Sequence, residues 1–146
     1  MTTSLTFPCP HCGGMNRVPH ERIQEHPRCG HCQNTLITGQ PTDLTQANFA
    51  RQIRGDLPLL VDVWAAWCGP CQQFAPTFQQ AAERLKGICR LAKLDSEAES
   101  ALAGELRIRS IPTLILFNNG QEAARLSGAL PLAQLLDWLS QHGVRP

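Results

Sequence analysis

Seven cysteines stand at positions 9, 12, 29, 32, 68, 71 and 89 of a 146-residue chain, and six of them form three Cys-x-x-Cys pairs. No other feature narrows the possible folds as far. Cys9-x2-Cys12 and Cys29-x2-Cys32 are 16 residues apart, a spacing at which two tight knuckles close a tetrahedron of thiolates around a structural zinc ion. The segment that carries them, residues 1–40, holds little core material: Leu5, Phe7, Met15, Val18, Ile23, Leu36 and Ile37. A unit that small cannot bury enough apolar surface to stand alone and needs a metal or disulfides. One Zn2+ held by Cys9, Cys12, Cys29 and Cys32 meets that need, with Gly13 and Gly30 expected to supply backbone freedom in the knuckles. His11 and His31 offer alternative ligands, but four sulfurs already close the shell. His20, His26 and His142 read as surface residues.

An odd number of cysteines excludes a fully paired secreted framework unless one thiol pairs between chains. The opening Met1-Thr-Thr-Ser-Leu-Thr-Phe-Pro8 has no basic residue and no apolar run of signal-peptide length. The most apolar region, Leu57 to Trp67, is broken by Pro58 and Asp62, far short of the ~20 residues that cross a bilayer. The expectation is a soluble cytoplasmic monomer, in a compartment where cysteine clusters bind metal or do redox chemistry. An apolar fraction of 42% lies outside the regime of disordered chains. A net charge of +1 gives no electrostatic basis for a nucleic-acid or membrane partner. Four thiolates and one Zn2+ would even turn residues 1–40 from +1 to −1.

Thr38-Gly39-Gln40-Pro41 reads as a linker. It divides the chain into a four-cysteine zinc-binding domain over residues 1–40 and a second domain over residues 41–146. In the second, Leu44 to Ile53 predicts a short helix capped by Thr45, and the apolar run Leu59–Trp64 predicts a strand covered on both faces. Gln72 to Lys86 spaces Phe74, Phe78, Ala82 and Leu85 along one helical face, with a kink expected at Pro76. Ile88 to Leu94 predicts a strand containing Cys89 as a small buried hydrophobe. Ser96 to Leu106 predicts a helix with Ser96 and Glu99 as a capping box. Thr113–Phe117 and Glu122–Ser127 flank Asn119-Gly120, a strong hairpin signal. Leu130 to His142 closes as an amphipathic helix with Pro131 in its first turn. The order is that of an α/β sandwich around a mixed sheet flanked by helices.

The third pair, Trp67-Cys68-Gly69-Pro70-Cys71, sits where the apolar strand gives way to a helix. The free N–H groups and positive end of a helix dipole favour a thiolate there, the species that attacks disulfides. A partner three residues on lies within disulfide reach. Cys68 would attack a substrate disulfide and Cys71 would resolve the mixed disulfide.

The run Val61-Asp-Val-Trp-Ala-Ala-Trp-Cys-Gly-Pro-Cys71, followed by Ile108-Arg-Ser-Ile-Pro-Thr113, Phe117-Asn-Asn-Gly120 and Ser127-Gly-Ala129, resembles the thioredoxin family over essentially all of residues 41–146. The four-cysteine segment resembles that of the family's zinc-containing two-domain members, so the fold expected is a thioredoxin fold preceded by a small zinc-ribbon-like domain. Cys9-Pro-His-Cys12 and Cys29-Gly-His-Cys32 also match active-site tetrapeptides of oxidising thioredoxin-fold enzymes. Neither follows an apolar strand nor opens a periodic helix, and both read as zinc knuckles. The resemblance implies catalysis by Cys68 and Cys71 with Gly69 and Pro70 between them, and a buried Asp62 that moves a proton to or from the resolving cysteine. It places Lys93 near that aspartate, although a solvent-facing strand lysine fits the pattern equally. It implies a cis Ile111–Pro112 bond beside the cysteines, and a substrate surface formed by Trp67, Ile111, Pro112 and Gly128, with Trp64 in the core. Ala65-Ala66 and Gln72 depart mildly from the usual pattern, which touches only the setting of potential and partner choice. The implied activity is reduction of protein disulfides without an organic cofactor in the chain, with electron transport from an NADPH-dependent thioredoxin reductase. A different class of function, a zinc-dependent partner-binding or redox-sensing module with a secondary thioredoxin domain, remains open on sequence alone.

Overall fold

In the computed structural model, which describes residues 3–146, the turn around the first cysteine pair joins two antiparallel strands, β1 (Ser4–Pro8) and β2 (Met15–Pro19). A 3-10 turn, His20–Arg22, follows, and an isolated bridge between Arg28 and Thr35 closes the turn around the second pair. This ribbon buries Phe7, Val18, Ile23 and Leu36 with Cys9 and Cys29, and borrows Leu57 from beyond residue 40 to complete its core.

The remaining elements are β3 (Thr42–Asp43), α1 (Phe49–Gln52), β4 (Leu59–Trp64), α2 (Gly69–Arg84), β5 (Arg90–Asp95), α3 (Ser100–Glu105), β6 (Thr113–Asn118), β7 (Gln121–Ser127) and α4 (Leu132–Gln141). They form a five-stranded mixed sheet in the order β3-β5-β4-β6-β7. β3, β5 and β4 run parallel, while β6 pairs antiparallel with β4 and β7. β4 is central and buried along nearly its whole length, which is why its sequence is a continuous apolar run. Its side chains still alternate. Leu60 joins Phe74, Phe78 and Leu85 of the α2 region and Leu135 and Leu139 of α4. Leu59, Val61 and Val63 join Leu94, Leu102 and Ile115 on the other face, where Phe49 and Phe117 meet edge to face at 5.5 Å. By the same alternation Asp62 lies on the same side of β4 as Leu60, the α2 side of the sheet.

Several boundaries differ from the sequence reading, each for a local reason. The helix expected over Leu44–Ile53 contracts to Phe49–Gln52 because the Leu44 N–H extends the β3–β5 pairing to Lys93 O (2.8 Å). Thr45 and Asn48 then close a turn, with the Thr45 N–H donating to Asn48 Oδ1 at 2.7 Å and the Asn48 N–H donating to Thr45 Oγ1 at 3.3 Å. The capping box at Ser96 and Glu99 does not form. Asp95 Oδ1 accepts from the Glu97 and Ala98 N–H groups at 3.0 and 3.2 Å, Ser96 Oγ donates to Trp64 O, and Glu99 Oε1 accepts from the Gln46 N–H. α3 starts only at Ser100. α2 opens three residues earlier than its apolar periodicity and continues through Pro76 to Arg84. β5 begins at Arg90, so the buried Cys89 lies just before the strand. The hairpin is as read: Asn119 and Gly120 both take positive φ, 51° and 84°, as a two-residue type I′ turn requires. Pro131 sits at the N-cap of α4.

Candidate active site and metal centre

Cys68 is the N-cap of α2, with φ −88° and ψ 110°, and the Cys71 N–H points at its sulfur from 3.2 Å. Pro70 occupies the first turn, where its missing N–H costs nothing. Cys68 and Cys71 are joined by a disulfide across a Cα separation of 5.2 Å. Both are buried and pack with Ala65, Trp64 and Ile111. An open groove lined by Trp67, Cys68, Pro70, Ile108, Arg109 and Ile111 reaches Cys68 and does not touch Cys71. At its rim Trp67 is 67% exposed, a large apolar surface in water, and its indole N–H donates to the Glu97 carboxylate.

Asp62 is fully buried, and neither of its carboxylate oxygens meets a donor among the described residues. Desolvation pushes its pKa up to about 7, against an opposing pull from Lys93. Lys93 is directly across from Asp62 in the β4–β5 register, but its ammonium sits 4.6 Å over the Trp64 ring rather than in a direct ion pair. Trp64 is thus half-buried between the core and that cation rather than fully inside. The Ile111–Pro112 bond is cis. Ile111 O approaches Cys68 Sγ to 3.9 Å, and Pro112 O accepts from the Gly128 N–H at 2.8 Å. Gly128 holds φ +102°, and a Cβ there would meet open space, so backbone conformation rather than crowding selects glycine.

In the ribbon the four sulfurs of Cys9, Cys12, Cys29 and Cys32 lie within 4.8 Å of one another. Cys9 and Cys32 are 3.7 Å apart and Cys12 and Cys29 3.6 Å, close to the ~3.8 Å edge that Zn–S bonds of ~2.3 Å give a tetrahedron. The knuckles share one backbone design. The Gly13 N–H donates to Cys9 O and the Cys9 N–H to Gly14 O; twenty residues on, Gln33 N–H donates to Cys29 O and Cys29 N–H to Asn34 O. The position that needs a left-handed backbone is Gly13 (φ 77°) in one knuckle and Gln33 (φ 70°) in the other. Gly30, expected to serve this purpose, does not, because the bend falls three residues later. Backbone N–H groups of His11, Gly14 and His31 point at the sulfurs from 3.3 to 3.4 Å, as they would at thiolates. Burial pushes the Cys9 thiol up to about 12, whereas Cys29, against its own desolvation, is drawn down to about 5 by Asn16 and neighbouring N–H groups. His11 and His31 are absent from the cluster. The donor set fits a single divalent, thiophilic cation.

A family model described as Thioredoxin matches residues 40–141, more than half of the chain. The chain belongs to the thioredoxin family. A second model, described as Thioredoxin 2, N-terminal, matches residues 8–34, the ribbon with all four clustered cysteines. Thioredoxin C-3 of Corynebacterium nephridii is 46% identical over 135 residues, 92% of either chain. Thioredoxins of Haemophilus influenzae and Alicyclobacillus acidocaldarius are 40% and 46% identical over 90 and 92 residues, 62% and 63% of this chain and 84% and 88% of theirs. Together with the Cys68–Cys71 disulfide at a helix N-terminus, thioredoxin membership makes this chain a thiol–disulfide oxidoreductase acting on disulfide-containing proteins. No helix among the described residues is long and apolar enough to cross a membrane.

The sequence reading missed four residues that shape these thioredoxin and ribbon sites. Glu97 tethers the Trp67 indole, Asn16 bridges both knuckles, and Gln52 and Arg90 bind backbone carbonyls across the fold. The usable signal for Glu97 was its place in a turn following a strand that ends beside the cysteines. The others make contacts that no local pattern marks.

Proposed function

We propose that this chain reduces target-protein disulfides through Cys68 as attacking and Cys71 as resolving cysteine. One observation carries the assignment: the groove at the start of α2 opens onto Cys68 and leaves Cys71 behind it. In the dithiol form the Cys68 thiolate, stabilised by the Cys71 N–H and the helix N-terminus, attacks one sulfur of the target disulfide. That S–S bond breaks, the departing target sulfur takes a proton, and Cys68 is left in a mixed disulfide. Cys71 then loses its proton to Asp62 and attacks Cys68 Sγ. The second target thiolate leaves, and the Cys68–Cys71 disulfide forms: two electrons have passed to the target. Burial, by lifting Asp62 to about 7, lets it both accept and return a proton near neutrality. Lys93 supports the transfer by opposing that lift, and Gly69 and Pro70 hold the turn. Trp67, Ile111, Pro112 and Gly128 present the target with an apolar platform, and the Ile111 backbone can pair with an extended target segment.

The four ribbon cysteines hold one Zn2+, which when bound offsets half of their four negative charges and fixes the two knuckles together. We place the division between zinc-binding and thioredoxin domains at residues 1–40 and 41–146. The matching working context is a cytoplasmic monomer serving electron transport, recharged by an NADPH-dependent thioredoxin reductase. The test is direct. Cys68→Ser abolishes reduction of insulin disulfides, whereas Cys71→Ser accumulates mixed disulfides with its targets. Full activity of Cys68→Ser would overturn the assignment.

A further inference from the structure

The first knuckle is held from outside the ribbon. Gln52, the last residue of α1, is only 3% exposed, and its Nε2 donates to Cys9 O at 2.9 Å across 43 residues of sequence. Cys9 O also accepts the Gly13 N–H at 2.9 Å. One of its lone pairs therefore closes the knuckle and the other faces the thioredoxin domain. Gln52 is itself anchored, since its backbone carbonyl accepts from Arg90 Nη1 at 2.8 Å.

The surroundings leave this amide little freedom. The Asp56 N–H donates to Thr6 O, and the Thr6 N–H donates to Asp56 Oδ2, each at 2.8 Å. Gly55, at φ +107°, lies so close to β1 that a Cβ would sit 2.8 Å from both Phe7 Cα and Thr6 O. The loop after α1 is thus pressed against the strand that leads directly into Cys9.

The second knuckle is held differently. Asn16, within the ribbon, donates to Gly14 O at 3.0 Å and to Cys29 Sγ at 3.3 Å, and accepts the Gly30 N–H at 2.9 Å. Cys29 O takes only the Gln33 N–H among the described residues. Asn16 thus ties both knuckles from within the ribbon, and the first knuckle alone is also held from beyond the linker, by Gln52.

From this asymmetry we propose that Gln52 is a positioning residue for the metal site, so that the ribbon's zinc affinity depends on the thioredoxin domain through this amide. The inference rests on reading the four cysteines as a zinc site. Cys9 is the ligand it acts on: moving its carbonyl moves the knuckle and the sulfur that must stand 3.7 Å from Cys32. By linkage the dependence is reciprocal, and zinc binding tightens the docking of the ribbon by the same factor.

The experiment uses the full chain. Zinc affinity is measured by competition with a chromophoric chelator, and the thiolate charge-transfer band is recorded after Co2+ substitution. Wild type binds one zinc per chain; a wild type that binds none overturns the zinc reading, and this inference with it. Gln52→Met keeps length and burial but has no donor, and Gln52→Asn keeps the amide but falls one methylene short. Both are expected to weaken zinc binding about tenfold or more and to alter the cobalt band. Asp56→Ala, which removes a contact of the same interface away from Cys9, is expected to lose less than about threefold. Affinity in Gln52→Met and Gln52→Asn within about twofold of wild type, with an unchanged band, overturns the proposal. Equal loss in Asp56→Ala also overturns it, since docking in general and not the Gln52 amide would then set the site.

Discussion

A fully buried carboxylate with no donor among the described residues is most stable while it keeps its proton. Asp62 is in that position, raised from 3.8 to about 7 by desolvation that Lys93 only partly offsets. Because the folded-state value is the higher one, the native protein binds more protons than the unfolded chain between those limits. Stability is therefore fully present below about pH 4 and is lost as pH rises through about 7. At ~1.4 kcal/mol per unit, Asp62→Asn should gain a few kcal/mol on wild type between pH 4 and pH 8. Urea unfolding of both proteins at pH 4, 6 and 8 measures it, and parallel curves would refute it. The same variant should slow resolution of the mixed disulfide on the order of tenfold or more and remove its titration near pH 7. That Asp62 is buried was legible only through the family resemblance; the sequence pattern itself showed no more than an acidic residue interrupting an apolar strand. That both its oxygens go without a protein donor was not. Nor were Gln52 and Asn16, ordinary amides whose bonds span 43 and 13 residues.

At the level of elements, periodicity located the strands well and the short helices poorly. β4, β6 and β7 are fixed by long apolar or alternating runs and a two-residue turn with its own chemistry. α1 and α3 are only four and six residues long, too short to impose a period, so side chains at their ends decide where they begin. The start of β5 shows how much a single such side chain can do. Arg90 is largely buried with no acidic partner among the described residues. Its guanidinium donates to Gln52 O and Arg54 O at 2.8 Å and to Leu57 O at 2.7 and 3.2 Å. Burial lowers its pKa to about 10, so it stays charged at neutral pH. It thereby gathers the carbonyls at the end of α1 and in the loop leading to β4, the stretch against which the ribbon rests. Arg90→Met should cost about 3 kcal/mol or more, because three carbonyls lose a charged donor. Arg90→Lys should recover only part of that, lacking the fork that reaches all three. Chemical denaturation gives both values, and a Met variant as stable as wild type would mean that water replaces the guanidinium without penalty.

In the whole molecule the two cysteine sites occupy opposite ends of the sheet. The ribbon docks at Gly55–Leu57 and Gln24 reaches Lys86 O, beside the starts of β4 and β5, whereas Cys68 follows the far end of β4. Six strand residues at ~3.3 Å each put about 20 Å between them. The Cys68–Cys71 turn therefore lies at the end of β4 away from the ribbon. Residues 41–146 alone should keep insulin reduction within about threefold of the full chain while retaining no zinc. They should also be less stable by about 1–3 kcal/mol, because Leu57 comes into water and the Gln52 amide and Asp56 lose Cys9 O and Thr6. Turnover assays and urea titrations of the two proteins side by side check both halves. A truncated chain that folds but no longer reduces insulin would place the ribbon in the reaction itself, against the separation seen along β4. A truncated chain as stable as the whole would mean that the clamp between Gln52, Asp56 and β1 holds the ribbon without contributing to the thioredoxin domain.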